Sequence, residues 1–121
     1  MDERISFITH QGKSIMVVDF SHLEPKELLL LLEAVRRTVA RHDRASLLTL
    51  ADLTAAHVDR TVATRMKEVL VHDRPFVKRS AWVGADSVPK IYFENIKAFS
   101  QRDFRRFETR EQAMDWLVKE E

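Results

Sequence analysis

Ser46-Leu47-Leu48-Thr49-Leu50-Ala51-Asp52, then Leu53-Thr54-Ala55-Ala56-His57-Val58-Asp59, then Arg60-Thr61-Val62 running on to His72, is a strand, a polar turn and a helix in succession. Ser46–Ala51 is short and apolar and is closed by Asp52, which predicts a strand covered on both faces. Asp59 suits a helix cap, and Val62, Met66, Val69 and Leu70 follow at helical spacing as its inward stripe. In open α/β sheets, ligands and partners bind beyond the carboxyl ends of strands. The turn from Leu53 to Asp59 is therefore the first place to look for a site.

Upstream, Ile5–Ile8 and Ile15–Phe20 read as two strands joined through Gln11-Gly12-Lys13, with Gly12 free to take a positive φ. Pro25 fits a first helical position, and Leu28, Leu31, Leu32, Val35 and Val39 form one face of a helix from Pro25 to His42. Leu30 falls on the opposite side with Arg37 and Arg41, and Leu29 lies near the boundary. Downstream, Val77–Gly84 predicts a fourth strand and Gly84–Ser87 a second strand-to-helix turn. A helix from Pro89 to Phe99 follows, with Val88, Ile91, Tyr92, Ile96 and Phe99 broadly on one side and Phe93 pointing elsewhere. Ser100–Asp103 reads as a loop and Phe104–Phe107 as a basic edge strand. Thr109-Arg110-Glu111-Gln112 has the capping-box pattern, opening a last helix with Ala113, Trp116 and Leu117 inward. The expectation is an α/β fold of order β-β-α-β-α-β-α-β-α in one domain spanning residues 1–121.

With 121 residues and no cysteine, the chain needs no staples and can form neither a disulfide nor a thiolate zinc site. The longest apolar run, Leu28–Leu32, is far too short to span a membrane, and Met1-Asp2-Glu3-Arg4 lacks a signal-peptide pattern, so a cytoplasmic protein is expected. Two glycines, Gly12 and Gly84, cannot build a phosphate-cradling loop. Five histidines show no i,i+4 pair, and neither a metal nor a cofactor is expected. Charge is uneven. Residues 60–110 carry 12 Lys or Arg against 6 Asp or Glu, which describes either an anion-attracting field or an ordinary solvated surface.

Three groups of residues are candidates for function. Asp52, Thr54, His57 and Asp59 can converge beyond the strand end, with a carboxylate orienting the histidine for acid–base work. The plainer alternative is that Asp52 and Thr54 satisfy turn backbone groups, Asp59 caps a helix and His57 is exposed. Lys78, Arg79, Lys90, Lys97, Arg102, Arg105 and Arg106, with Trp82, Phe93 and Phe104, are the nearest approach to a nucleic-acid surface. Strand alternation splits Lys78 from Arg79 and Arg105 from Arg106, however, and the aromatics suit a core better, so nucleic acid is not the expected partner. Leu29, Leu30, Val71 and Phe93 are apolar residues that the helical stripes leave over, suited to a pocket or to a homodimer interface.

Thr9-His10-Gln11-Gly12-Lys13, Leu50-Ala51-Asp52-Leu53-Thr54, Pro75-Phe76-Val77-Lys78-Arg79-Ser80-Ala81 and Phe107-Glu108-Thr109-Arg110-Glu111-Gln112-Ala113, in that order, resemble the SpoIIAA-like proteins. These are small bacterial domains grouped with the STAS domains and, more distantly, with the CRAL-TRIO lipid-transfer domains. The resemblance implies a mixed sheet of about five strands with four flanking helices. In the anti-anti-sigma branch of STAS proteins, a serine in an Asp-Ser-Ser-Gly turn at the start of the second helix is phosphorylated. The matching place here reads Asp59-Arg60-Thr61-Val62, so Thr61 holds the hydroxyl position while the second serine and the glycine are absent. Thr61 and Thr54 are the candidates for phosphorylation. The likeness implies a non-enzymatic binding or regulatory module with a protein partner, engaged through Asp52, Thr54, His57, Asp59 and Thr61 together with Asp86 and Ser87. The CRAL-TRIO comparison implies the alternative, a carrier of a small hydrophobic or lipid ligand.

Overall fold

The structure, a computed structural model, describes residues 2–100 and 104–119. Most of the expected Ser100–Asp103 loop, and Arg102 of the basic group, lie outside the described residues. The elements run β1 (Ile5–His10), β2 (Lys13–Asp19), α1 (Pro25–Val39), β3 (Leu47–Asp52), α2 (Arg60–Asp73), β4 (Val77–Val83), α3 (Lys90–Ser100), β5 (Phe104–Phe107) and α4 (Arg110–Val118). This is the α/β order read from the sequence, with single 3₁₀ turns added at Asp2–Arg4 and Ala85–Ser87.

The five strands form one sheet in the order β1-β2-β3-β4-β5, with β1 antiparallel to β2 and the remaining pairs parallel. Gln11 and Gly12, both at positive φ (49° and 81°), make the two-residue turn between β1 and β2. Positive φ at both central residues matches the twist of a hairpin. Because the parallel strands advance in one direction across the sheet, crossovers of one hand place their helices on one face. Accordingly α1, α2 and α3 cover that face, over a core that includes Met16, Val18, Phe20, Leu47 and Trp82. The helix after the last strand, α4, covers the other face over Ile15, Val17, Leu48, Leu50, Ala81 and Val83. Alternate residues of β2, β3 and β4 are thus buried on both sides, which explains their nearly continuous apolar sequences.

On three points the structure corrects the sequence reading. The first helix stops at Val39 rather than His42, and 3₁₀-type bonds from Arg41 N–H to Thr38 O (3.2 Å) and from His42 N–H to Val39 O (3.1 Å) close its end. On α3, Ile91 and Phe99 are 63% and 56% exposed, whereas Phe93 is 4% exposed. That helix is apolar on several sides, and the inward face is set by ring contacts. Phe93 lies 5.5 Å from Trp82 and 5.3 Å from Phe104, and Trp82 meets Phe104 edge-on at 4.8 Å. Phe93 is therefore a core residue and not part of an apolar surface. Third, Arg79 is buried and belongs to α4. Its Nη1 donates to the carbonyls of Trp116 (3.1 Å) and Lys119 (2.6 Å) at the end of that helix. A fixed cation there satisfies orphan carbonyls and opposes the negative pole of the helix.

Candidate functional site

The register sets the carboxyl ends of the three central strands level, with Asp19 beside Asp52 and Asp52 beside Val83. Three connections emerge there side by side. The one after β3 is built around Leu53, which is fully buried and donates its N–H to Val83 O at 2.8 Å. Its neighbours hold it from both sides. His22 N–H donates to Thr54 O (2.9 Å), His57 N–H donates to Leu23 O (3.0 Å), and Ser87 Oγ donates to Leu53 O (3.0 Å). The turn after β4 presses against it so closely that a Cβ on Gly84, itself at φ 67°, would collide with the Thr54 hydroxyl. The turns after the third and fourth strands therefore form one surface, and Thr54 and Ser87 share it.

Asp52 anchors this surface. Its Oδ1 accepts from Thr54 N–H (3.0 Å) and Thr54 Oγ1 (2.7 Å), and its Oδ2 accepts from Arg110 Nε (3.1 Å) and Nη2 (2.9 Å). Burial pushes the Asp52 carboxyl up, but the Thr54 hydroxyl and N–H together with the Arg110 guanidinium outweigh it and hold the pKa below the ordinary value. Asp59 accepts from Val62 N–H at 2.8 Å and caps α2. Thr61 follows in the first turn of α2, exposed and without a hydrogen-bonding partner among the described residues. Asp86 and Ser87 are exposed on the adjoining turn.

The acid–base arrangement anticipated for His57 does not form. Its Nδ1 lies 2.7 Å from Glu24 Oε2, both side chains being 62% exposed, and neither Asp52 nor Asp59 orients it. The reason is local. Ala55 takes a left-handed φ of 54°, and the bond to Leu23 O holds the His57 backbone beside the connection before α1. Asp52 and Asp59 are meanwhile occupied by Thr54, Arg110 and the cap. No hydroxyl in the turn is bonded to an imidazole among the described residues, so the geometry displays and positions groups without forming a proton relay. No group of three or more His, Asp or Glu side chains able to hold a metal gathers among the described residues.

Sequence reading missed half of this surface. Asp19 Oδ1 accepts from Ser21 N–H (3.0 Å) and Ser21 Oγ (2.5 Å), repeating one strand away what Asp52 does with Thr54. The next residues, His22 at φ 60° and Ala55 at φ 54°, repeat the left-handed step. Arg4 Nη1 donates to Asp19 O and Ser21 O, each at 3.0 Å, as a counterpart to Arg110. The signal lay in the sequence as Asp19-Phe20-Ser21 and Asp52-Leu53-Thr54, an acid, a buried residue and a hydroxyl at the end of each strand.

The surplus apolar residues do not assemble. Leu29 is partly buried against the main core, Leu30 is 57% exposed, Val71 is half-buried and Phe93 is buried. A cavity of about 50 Å³ lies between the sheet and α1 and α2, lined by residues such as Met16, Leu32, Val35, Met66 and Trp82 and by none of those four. It is far below the roughly 300–1,000 Å³ of a small-molecule pocket.

No protein-family model matches the sequence, and no curated protein does. Among solved structures, an uncharacterized protein of the DUF3478 family from Shewanella loihica PV-4 superposes with a TM-score of 0.71. The identity is 17%, over 94% of this chain and 92% of that one. That protein is described as having a SpoIIAA-like fold, and the arrangement of five strands and four helices here is likewise a SpoIIAA-like α/β fold.

Proposed function

We propose that this chain is a non-enzymatic binding or regulatory module whose protein partner engages the joined turns after β3 and β4. The observation that carries the reading is the union of these turns. Ser87 Oγ bonds Leu53 O, Gly84 packs on Thr54, and Asp52 is clamped between Thr54 and Arg110, so a fixed polar surface is presented. Preorganised groups lose little freedom on binding, which favours recognition by such a surface. Thr54, His57, Asp59, Thr61, Asp86 and Ser87 are its contact residues, with Asp52 as their anchor.

Phosphorylation as the means of regulation belongs to Thr61 rather than Thr54. The Thr61 hydroxyl is exposed and has no hydrogen-bonding partner among the described residues, whereas that of Thr54 donates to Asp52 and abuts Gly84. A phosphate on Thr61 would meet the positive pole of α2, where the added charge is stabilised. The alternative of a carrier for a hydrophobic ligand receives no support from a cavity of about 50 Å³.

Native mass spectrometry of untagged protein from its own host separates these readings. A single phosphate mapped to Thr61 supports the switch, and a non-covalent apolar mass lost on denaturation overturns the module in favour of the carrier. For the surface itself, Thr54→Ala, His57→Ala and Asp86→Ala combined are expected to reduce partner capture. Unchanged capture by the triple variant sinks the site assignment.

A further inference from the structure

We infer that the open edge of β1, with the flank of α1 beside it, takes an extended acidic segment of a partner protein as a sixth strand of the sheet. β1 pairs with β2 over its full length, from Ile5↔Val18 to His10↔Lys13, without a bulge. Its outer side has no strand partner in the sheet among the described residues. Natural edges are blunted by lysine, proline, bulges or cover. From Ile5 to Thr9 this strand has no charge and no proline, and four of its six residues are exposed. Two of these, Phe7 at 46% and Ile8 at 37%, are large apolar side chains that alternation places on opposite faces. An added strand satisfies the row of unpaired backbone groups and covers both side chains together.

Charge identifies the occupant. On the α1 side, Phe7 shares a groove of about 210 Å³ with Ile5, Ala34, Thr38, Arg37 and Arg41. No carboxylate lines the groove among the described residues, and Glu33, one turn before Arg37 on α1, is divided among Arg36 (2.6 Å), Arg65 (2.8 Å) and Arg37 (3.8 Å). Arg41 has no ion pair among the described residues. The groove therefore carries a surplus of positive charge. A second copy of this chain, paired edge to edge about Phe7, would bring its own Arg37 and Arg41 towards these arginines and meet like charge. A segment with carboxylates at alternate positions meets opposite charge on this face and uses the same backbone ladder.

The test is titration of the isotopically labelled protein with a short peptide alternating Glu and Val, and with its Lys and Val counterpart, followed by amide chemical shifts. The acidic peptide is expected to shift β1 and the Arg37–Arg41 flank and to bind about tenfold or more tighter than the basic one. Arg37→Glu with Arg41→Glu changes only exposed side chains, and it is expected to reverse the preference while leaving the far-ultraviolet spectrum unchanged. Equal binding of both peptides, shifts confined to other surfaces, or a preference that survives the charge reversal overturns the inference. Sedimentation of the protein alone supplies one further outcome. A dimer that Ile8→Lys dissociates would mean that a second copy occupies the edge, and that too overturns it.

Discussion

Gly84 is where a single residue has the greatest leverage on the candidate surface. Its φ of 67° is one that side-chain-bearing residues adopt reluctantly, and a Cβ there would strike the Thr54 hydroxyl and lie 3.0 Å from both Thr54 Cα and N. Gly84→Ala is expected to destabilise the fold by about 1–3 kcal/mol, measured as a shift in the urea midpoint at unchanged slope. Thr54→Ala removes the hydroxyl from that collision, along with its bond to Asp52, so in a double-mutant cycle, which subtracts the Asp52 loss, it is expected to recover part of the Gly84→Ala effect. Strictly additive effects would show that the two turns are not coupled through this contact. Legibility at this scale was uneven. The roles of Asp52 and Asp59 could be read from the sequence because capping and turn closure are local. The pairing of His57 with Glu24 could not, since it joins residues 33 positions apart through the left-handed step at Ala55.

At the scale of elements, each strand and helix was visible because its periodicity and its punctuation agree. Pro25 opens α1, Asp59 caps α2, and Thr109 accepts from Gln112 N–H at 3.2 Å to cap α4. The inward face of α3 was not visible. Ile91, Phe93 and Phe99 are chemically similar, and only the ring cluster with Trp82 and Phe104 selects among them. The role of Arg79 was hidden for the same reason, because its partners are the last carbonyls of α4, 37 to 40 residues away. Arg79→Met keeps much of the volume but removes a donor from those carbonyls, of which Trp116 O retains the Lys119 N–H at 3.2 Å. A loss of about 2–4 kcal/mol is expected, with hydrogen exchange rising first along α4. Loss of protection spread evenly over the sheet would contradict a helix-specific role. Among the other basic residues, Arg105 lies over Trp116 (5.1 Å) and Arg106 over Phe93 (4.2 Å), on opposite faces of β5. The basic stretch is thus divided between the two layers, as strand alternation requires.

At the scale of the whole molecule, α1 and α2 are tied across their surface by Glu33, which joins Arg36 on its own helix to Arg65 on α2. Hydrogen bonds from Arg36 and then Arg65 hold the Glu33 carboxyl at about 2, well below its ordinary value of 4.5. In the unfolded chain the same carboxyl returns to that ordinary value, so between the two values the unfolded chain binds the proton more readily. Its contribution is therefore fully present above about pH 4.5 and is lost as the pH falls towards 2. Asp52, also lowered by its partners, acts in the same direction at the carboxyl end of β3. The thermal midpoint is expected to fall over this acid range. Glu33→Gln should lower the midpoint near neutrality and flatten its acid dependence, leaving the two proteins closest at the lowest pH. Because Glu33 is partly exposed, salt should narrow the gap near neutrality as well. Parallel pH profiles for the two proteins would show that Glu33 is not the tie between α1 and α2, and that acid sensitivity arises at Asp52 and the strand ends instead.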